Sequence, residues 1–418
     1  MVLEKTKKNI LIISKWFFLC LLIGFFSGSA SAFFLVALEK VTRLRELNNK
    51  IIWFLPLGGL IIGLLYYYLG GSVVQGNNLL LEEYENPKKT IPLKMAPLVL
   101  ITTLITHLFG GSAGREGTAV QMGGSIADQF TRLFKLNSSD RKTLIILGIS
   151  AGFASVFGTP LAGALFALEV LYFSKISYKS IVLSFLVAYV AYFTVEFWEA
   201  KHTHYSIPVI PEMTLKILFW VILTGISFGL AAMLFSRGTH FWGHLFSKNI
   251  KFPPLRPFVG GIILVIAIYF VGTTKYIGLG IPTIVDSFSI PTNSYDFLFK
   301  IIFTGFTLGA GFKGGEVTPL FFIGATLGSA LSLYVPLPIA LLAGMGFVAV
   351  FSGATHTPIA CTIMGMELFG FQSGLFIGIA CFTAYFSSGS VGIYHAQIVK
   401  GAKYHLYRKF KRKDLEDF

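Results

Sequence analysis

Gly110-Gly111-Ser112-Ala113-Gly114-Arg115-Glu116-Gly117-Thr118 is the stretch on which the reading of this chain turns. Glycines and small residues run into a continuous apolar-periodic segment from Ala119, the pattern of a loop entering a helix start. Such a start exposes backbone N–H groups and the positive end of the helix dipole, and both attract anions. A carboxylate placed there is itself an anion. Glu116 can occupy the position, or leave it to another anion when protonated, which is a physical basis for exchanging anion against proton. A first-turn acidic residue that only caps its helix reads the same way, and in a soluble protein that plainer account wins. In a membrane span an ionisable residue is functional by default, so the class of the chain decides between them.

Composition settles the class. Of 418 residues 54% are hydrophobic and 13% charged, with 42 Phe, against about 25% charged in soluble domains. Mean hydropathy is +0.71. This is the composition of a polytopic, all-α membrane protein. If half the chain lay in spans of about 20 residues, roughly ten would fit. Lys and Arg number 34 against 20 Asp and Glu, a net charge of +14. The excess sits in tails and short loops between apolar stretches, as in cytoplasmic loops, and calls for no nucleic-acid partner. Lys5, Lys7 and Lys8 precede an apolar run to about Leu38 with no A-x-A cleavage site before polar sequence, so it reads as a retained first span rather than a signal peptide. Arg408, Lys409, Lys411, Arg412 and Lys413 close the chain in a short basic tail, 401–418. Both termini are expected on the cytoplasmic face. Cys20, Cys361 and Cys381 lie in apolar sequence without a CxxC pattern, so neither a disulfide framework nor a zinc site is suggested. His202 and His204 stand at i, i+2 in a polar loop without carboxylate or Cys support. No metal and no cofactor are expected.

The chain repeats itself at an offset of roughly 200 residues. Pro56, Gly58 and Gly59 are answered by Pro257, Gly260 and Gly261. Gly114 to Thr118 is answered by Gly314-Gly315-Glu316-Val317-Thr318. Gly152-Phe153, Val156-Phe157, Thr159-Pro160 and Glu169 are answered by Gly346-Phe347, Val350-Phe351, Thr357-Pro358 and Glu367. One transmembrane transporter domain over 1–418 follows, with repeat halves at about 40–220 and 240–400. Paired Gly-interrupted segments in corresponding places point to broken helices around a midplane site.

Further candidates come from the same segments. Pro319, after the second loop, suits a first helical turn. Two such starts aim N–H groups at one central anion, with Thr318 adding a hydroxyl and Phe322 lying four residues on, on the same face. Plain core packing accounts for Phe322 equally well. In Gly76-Asn77-Asn78 an Asn amide offers N–H donors without charge, though an ordinary turn or cap reads the same way. Tyr394 follows Ser387-Ser388-Gly389-Ser390; its phenol is a neutral anion donor, and an interfacial Tyr is the common case. His107 reads as a hydrogen-bonded buried His. Glu169 and Glu367, at equivalent repeat positions, suggest a structural role or a subunit contact. An intramembrane hydrolase using His107 or Ser112 is the rival of another class, but no Ser–His or metal constellation clusters, so no enzyme is expected.

These motifs resemble the CLC family of anion channels and proton-coupled antiporters, nearly end to end. The glycine-flanked Glu116 falls on the family's external gating glutamate, which competes with the anion and carries the proton. The resemblance implies a homodimer of inverted-repeat subunits, each with its own pathway. Chloride members typically have Gly-Ser-Gly-Ile-Pro where this chain has Gly76-Asn77-Asn78-Leu79-Leu80, so Asn77 replaces the filter serine. Thr118 replaces the usual Pro, and Thr318 the usual small residue. These departures are similar to the bacterial fluoride/proton antiporters of the family, in their Asn-filter form. Phe322 matches a phenylalanine lining their pathway, a second pathway aromatic would fall at Leu80, and Tyr394 aligns with the central tyrosine. The inner proton glutamate of chloride exchangers would fall at Val170. The resemblance therefore implies a fluoride/proton antiporter of a bacterial plasma membrane. Glu116 is its gate. Asn77, Gly117, Thr118, Val317, Thr318, Phe322 and Tyr394 surround the anion, and Gly76, Leu80, Gly114 and Arg115 line the path. Partners are fluoride, protons, lipid and a second copy of the chain. A chloride/proton exchanger or chloride channel is the nearest rival.

Overall fold

The computed structural model describes residues 2–171, 176–397 and Lys403, with side chains from residue 10 onward. The basic residues Lys5, Lys7 and Lys8, and those from Arg408 to Lys413, lie outside that description. Sixteen α-helices are present among the described residues. The first eight are α1 (Val2–Leu47), α2 (Leu55–Leu65), α3 (Asn77–Glu85), α4 (Met95–Leu108), α5 (Glu116–Leu133), α6 (Ser138–Phe157), α7 (Pro160–Val170) and α8 (Tyr178–Phe197). The second eight are α9 (Leu215–Asn249), α10 (Leu255–Val271), α11 (Ile281–Asp286), α12 (Asp296–Gly309), α13 (Val317–Leu331), α14 (Ile339–Thr355), α15 (Pro358–Phe369) and α16 (Gly374–Ser387). Element by element, α1–α8 correspond to α9–α16. The halves therefore run wider than 40–220 and 240–400: each begins with a long helix that carries none of the Gly-Pro landmarks by which the repeat is read.

Four stretches among the described residues are long and apolar enough to cross a membrane: Ile10–Leu47, Asn49–Gln75, Tyr178–Phe197 and Leu215–Asn249. The expectation of roughly ten full spans does not hold. Most of the remaining helices are short, because Gly and Pro break the apolar segments before they reach spanning length. Phe17, Phe18 and Phe33 on α1 and Phe219 on α9 are exposed, as on a surface solvated by lipid.

Two devices join the halves, and both show their relative direction. Pro160 and Pro358 occupy first-turn positions of α7 and α15, and neither Thr159 nor Thr357 caps its helix. The orphan N–H groups are met from the other half. Glu367 accepts from Leu161 N (2.9 Å) and Ala162 N (2.7 Å). Glu169 accepts from Ile359 N (3.0 Å) and Ala360 N (2.7 Å). Each glutamate sits at the C-terminal end of one helix and caps the N-terminal end of the other, so α7 and α15 are antiparallel and the repeat is inverted. The structural role expected for this pair is what the structure shows.

Helix pairs α5–α6 and α13–α14 cross at glycines. A Cβ on Gly123 would collide with Gly148 O, and one on Gly324 with Gly346 O. A side chain there would push the crossing helices apart. The seam between the halves is aromatic: Phe153 stacks on Phe166 at 4.3 Å between ring centroids, and Phe321 on Phe347 at 3.9 Å.

Candidate functional site

The two glycine loops meet. Gly114 N donates to Gly315 O (2.6 Å) and Gly315 N to Gly114 O (2.8 Å), an antiparallel bridge between the halves. Gly315 is needed for this approach, since a Cβ on it would stand 2.8 Å from Gly117 N. The bridge points the starts of α5 and α13 at one another.

Glu116 opens α5 and is 1% exposed. Its Oε1 accepts from the Thr318 hydroxyl at 2.5 Å. Its Oε2 accepts from Thr318 N at 3.1 Å and from Arg115 N at 3.0 Å. The Arg115 Nε lies 3.7 Å from Oε1. Thr318 N is one of the orphan donors of α13, so the carboxylate stands where a helix start attracts an anion.

The remaining expected residues divide. Gly117 and Gly114 belong to this junction, and Val317 is the buried first residue of α13. Arg115 lines a small cavity at Glu116, together with Thr318, Phe321, Thr203 and Tyr205. The Thr118 hydroxyl pairs with Thr103 Oγ1 (2.8 Å) on α4 instead of turning to Glu116. Asn77 Nδ2 lies 3.0 Å from the place a Gly117 Cβ would take, and the buried Asn77 Oδ1 has no hydrogen-bond partner. Asn78 Oδ1 accepts from Ala396 N (3.0 Å). Of the two asparagines, then, Asn78 ties down the chain after Tyr394, and Asn77 faces open space. Asn77 and Tyr394 together line a cavity of about 160 Å³ with Gly76, and a smaller one with Leu80 and Val170. Neither lines the Glu116 cavity.

Phe322 does not reach the Glu116 cavity, which Phe321 lines instead. Phe322 is fully buried, packed against Gly280 at the start of α11, with its ring 5.0 Å from Lys300 Nζ. Spacing places it on the same helical face as Thr318, but α11 covers that face one turn further on. Residues that the sequence reading missed are Phe321, Thr203 and Tyr205 around Glu116, and Lys313 and Glu316 in the wall of the Asn77 cavity. For Glu316 a signal existed, its equivalence to Glu116 in the repeat. His202 does have a carboxylate partner, Glu196, with Nδ1–Oε1 at 3.7 Å. His107 is buried with Nε2 3.4 Å from Gly114 O, while Ser112 Oγ pairs with Thr304 Oγ1, so the two form no hydrolase dyad. No group of three metal-ligating side chains occurs among the described residues.

The family described as voltage gated chloride channel matches residues 58–389. The chain belongs to this family, the CLC family. A chloride/fluoride channel protein of Pseudomonas syringae pv. tomato is 48% identical over 414 residues, covering 97% of this chain and 92% of that one. A proton/chloride exchange transporter of Vibrio vulnificus is 26% identical over 393 residues, covering 84% and 81%. Among solved structures, a CLC-type fluoride/proton antiporter superposes with a TM-score of 0.90 at 36% identity, covering 93% of this chain and 98% of that one. A slow cyanobacterial chloride/proton antiporter shares the fold at a TM-score of 0.76 and 19% identity. The inverted, broken-helix architecture is thus the CLC fold, and this chain is a multi-pass membrane transporter rather than an enzyme.

Proposed function

We propose that this CLC protein exports fluoride in exchange for protons, with Glu116 as the proton-carrying gate. One observation carries the reading: the Glu116 carboxylate occupies the donors of the α13 start, so gate and substrate anion compete for the same N–H and O–H groups. While Glu116 is ionised it holds the Thr318 donors and fills the position. Protonation removes its charge and weakens its hold on those donors. Fluoride then takes the Thr318 N–H and O–H, and the protonated side chain moves its proton as it withdraws. Return of the carboxylate expels the anion.

Fluoride is small, hard and strongly hydrated, so it needs close, strong donors in place of its water. Thr318 supplies a hydroxyl and an amide N–H, and Asn77 supplies a neutral amide on the other side of Gly117. Tyr394 is a further neutral donor beside Asn77. The chloride-exchanger reading has in its favour the shared fold, but it places a serine where Asn77 stands. The name of the 48%-identical relative includes fluoride, and the 36%-identical structure is titled a fluoride/proton antiporter.

The chain is further taken to work as a homodimer with both ends on the cytoplasmic face of a bacterial plasma membrane. Ile359 on α15 and Leu375 and Phe382 on α16 are exposed apolar residues available for contact between copies. Cysteine crosslinking across α15 and α16 tests the dimer. The function is tested by reconstituting the protein in liposomes, imposing a proton gradient, and measuring fluoride and chloride efflux side by side.

A further inference from the structure

A much larger cavity adjoins the Glu116 cavity. It has a volume of about 720 Å³ and is walled by Tyr192 and Glu196 of α8, the following loop from Glu199 to His204, and Glu367 at the end of α15. Phe157, Thr203 and Leu368 line both cavities. A wide vestibule therefore narrows to a neck of three side chains, with the gate carboxylate behind it.

The lining is unusual for a mouth that handles an anion. It carries Glu196, Glu199, Glu367, His202 and His204 against one cation, Lys201. An acidic, low-dielectric mouth repels anions and concentrates protons. Its carboxylates and imidazoles also exchange protons readily near neutral pH.

His202 is the group in this wall next to the neck, since Thr203 follows it. Its ring is largely buried, and its Nε2 meets Ser155 O at 3.0 Å. A carbonyl only accepts, so Nε2 carries the hydrogen and Nδ1 keeps its lone pair, facing Glu196 Oε1 at 3.7 Å. Gly158, the left-handed cap of α6, lies flat against the ring: a Cβ there would stand 3.0 Å from Nδ1. The imidazole is thus held in one orientation, with its basic nitrogen beside a carboxylate that is half exposed to the vestibule. Burial lowers the pKa of this loop histidine, as does the charge of Arg115, while the Ser155 and Glu196 contacts raise it. Glu199, Lys201, His204 and Glu367 are the other charged or titratable groups in the wall.

We propose that this vestibule is a proton-collecting mouth, and that His202 paired with Glu196 relays protons through the neck to Glu116. The inference rests on the reading of Glu116 as a proton-carrying gate. A proton from bulk water, taken by Glu196, passes to His202 Nδ1 and leaves the carboxylate ionised beside an imidazolium. The imidazolium gives the same proton to water in the neck beside Thr203, and the Glu116 carboxylate accepts it, so His202 returns to its neutral form. The acidic wall also discourages exported fluoride from re-entering. His202 touches no anion in this scheme; it is a positioning and relay residue for the proton.

The test uses the full chain in fluoride-loaded liposomes, with the same pH on both faces, varied from acid to alkaline at low and at high buffer concentration. Initial fluoride efflux is read with a fluoride electrode. His202→Gln is expected to slow efflux by roughly tenfold at neutral and alkaline pH in dilute buffer. Concentrated imidazole buffer should restore the rate, because a mobile carrier replaces the fixed one. The fluoride-to-proton ratio should stay that of the unsubstituted protein. Glu196→Gln leaves the Ser155 contact of the ring in place and should shift the pH profile toward acid. If both variants keep the parent rate and pH profile at every buffer concentration, the relay is overturned. If His202→Gln is slow but imidazole gives no recovery, its role is structural and the relay is likewise overturned. If the unsubstituted protein moves fluoride without protons, the Glu116 reading itself fails, and that outcome is seen before any variant is compared.

Discussion

Thr318 gives both of its donors to Glu116, the hydroxyl to one carboxylate oxygen and the backbone N–H to the other. The two residues come from opposite halves of the chain and from the first turns of two helices aimed at one another. An acid and a substrate anion that need the same pair of donors cannot both have them, and coupling follows from that competition.

Thr318→Ala should lower fluoride turnover while leaving the fold intact. A hydrogen bond to a charged group contributes about 1.5–3 kcal/mol, so a loss of roughly ten- to a hundredfold in rate is expected. Thr318→Ser should recover most of it. Initial rates of fluoride efflux from liposomes check this, and a parent rate in Thr318→Ala would remove the hydroxyl from the site.

Asn77→Ser should reduce the preference for fluoride over chloride. The Asn77 Nδ2 beside Gly117 is a fixed neutral donor, and a shorter hydroxyl at the same position cannot reach as far. The ratio of fluoride to chloride efflux, measured in one preparation, is the readout. An unchanged ratio would leave Asn77 a turn residue.

Phe322→Ala should act on stability before it acts on transport. The ring is fully buried against Gly280 and beside Lys300, and removing a buried Phe costs about 3–5 kcal/mol. A lowered melting temperature in detergent is the expected result. A variant as stable as the parent but altered in anion selectivity would return Phe322 to the pathway.

Glu169→Gln and Glu367→Gln should each weaken the α7–α15 junction. Each carboxylate accepts two helix-start N–H bonds from the opposite half, and loss of a helix cap typically costs about 0.5–2 kcal/mol. Thermal unfolding of the two variants should show similar destabilisation, because the two caps are related by the repeat.

Much of this was legible from the residues. Glu116 and Thr318 announce themselves because glycine loops followed by polar residues mark helix starts, and their repetition says that two starts exist. The pairing of Glu169 with Glu367 follows from their equivalent positions. Phe322 was misleading because helical periodicity tells which face a residue is on, but not that α11 covers that face. The outer limits of the repeat were hidden because α1 and α9 correspond in place rather than in landmark residues. His202 looked unsupported because its partner, Glu196, lies on the preceding helix, and the turn that brings them together includes Glu199 in a left-handed conformation. The number of full spans was overestimated because hydropathy does not distinguish one long helix from two short ones broken by glycine.

The most direct test is paired flux measurement in fluoride-loaded liposomes carrying either the parent protein or Glu116→Gln. The parent should drive fluoride out against a rise in internal acidity, with protons moving in the opposite direction and chloride moving far more slowly. Glu116→Gln should abolish the proton-driven component. Proton coupling that survives in Glu116→Gln would contradict the account.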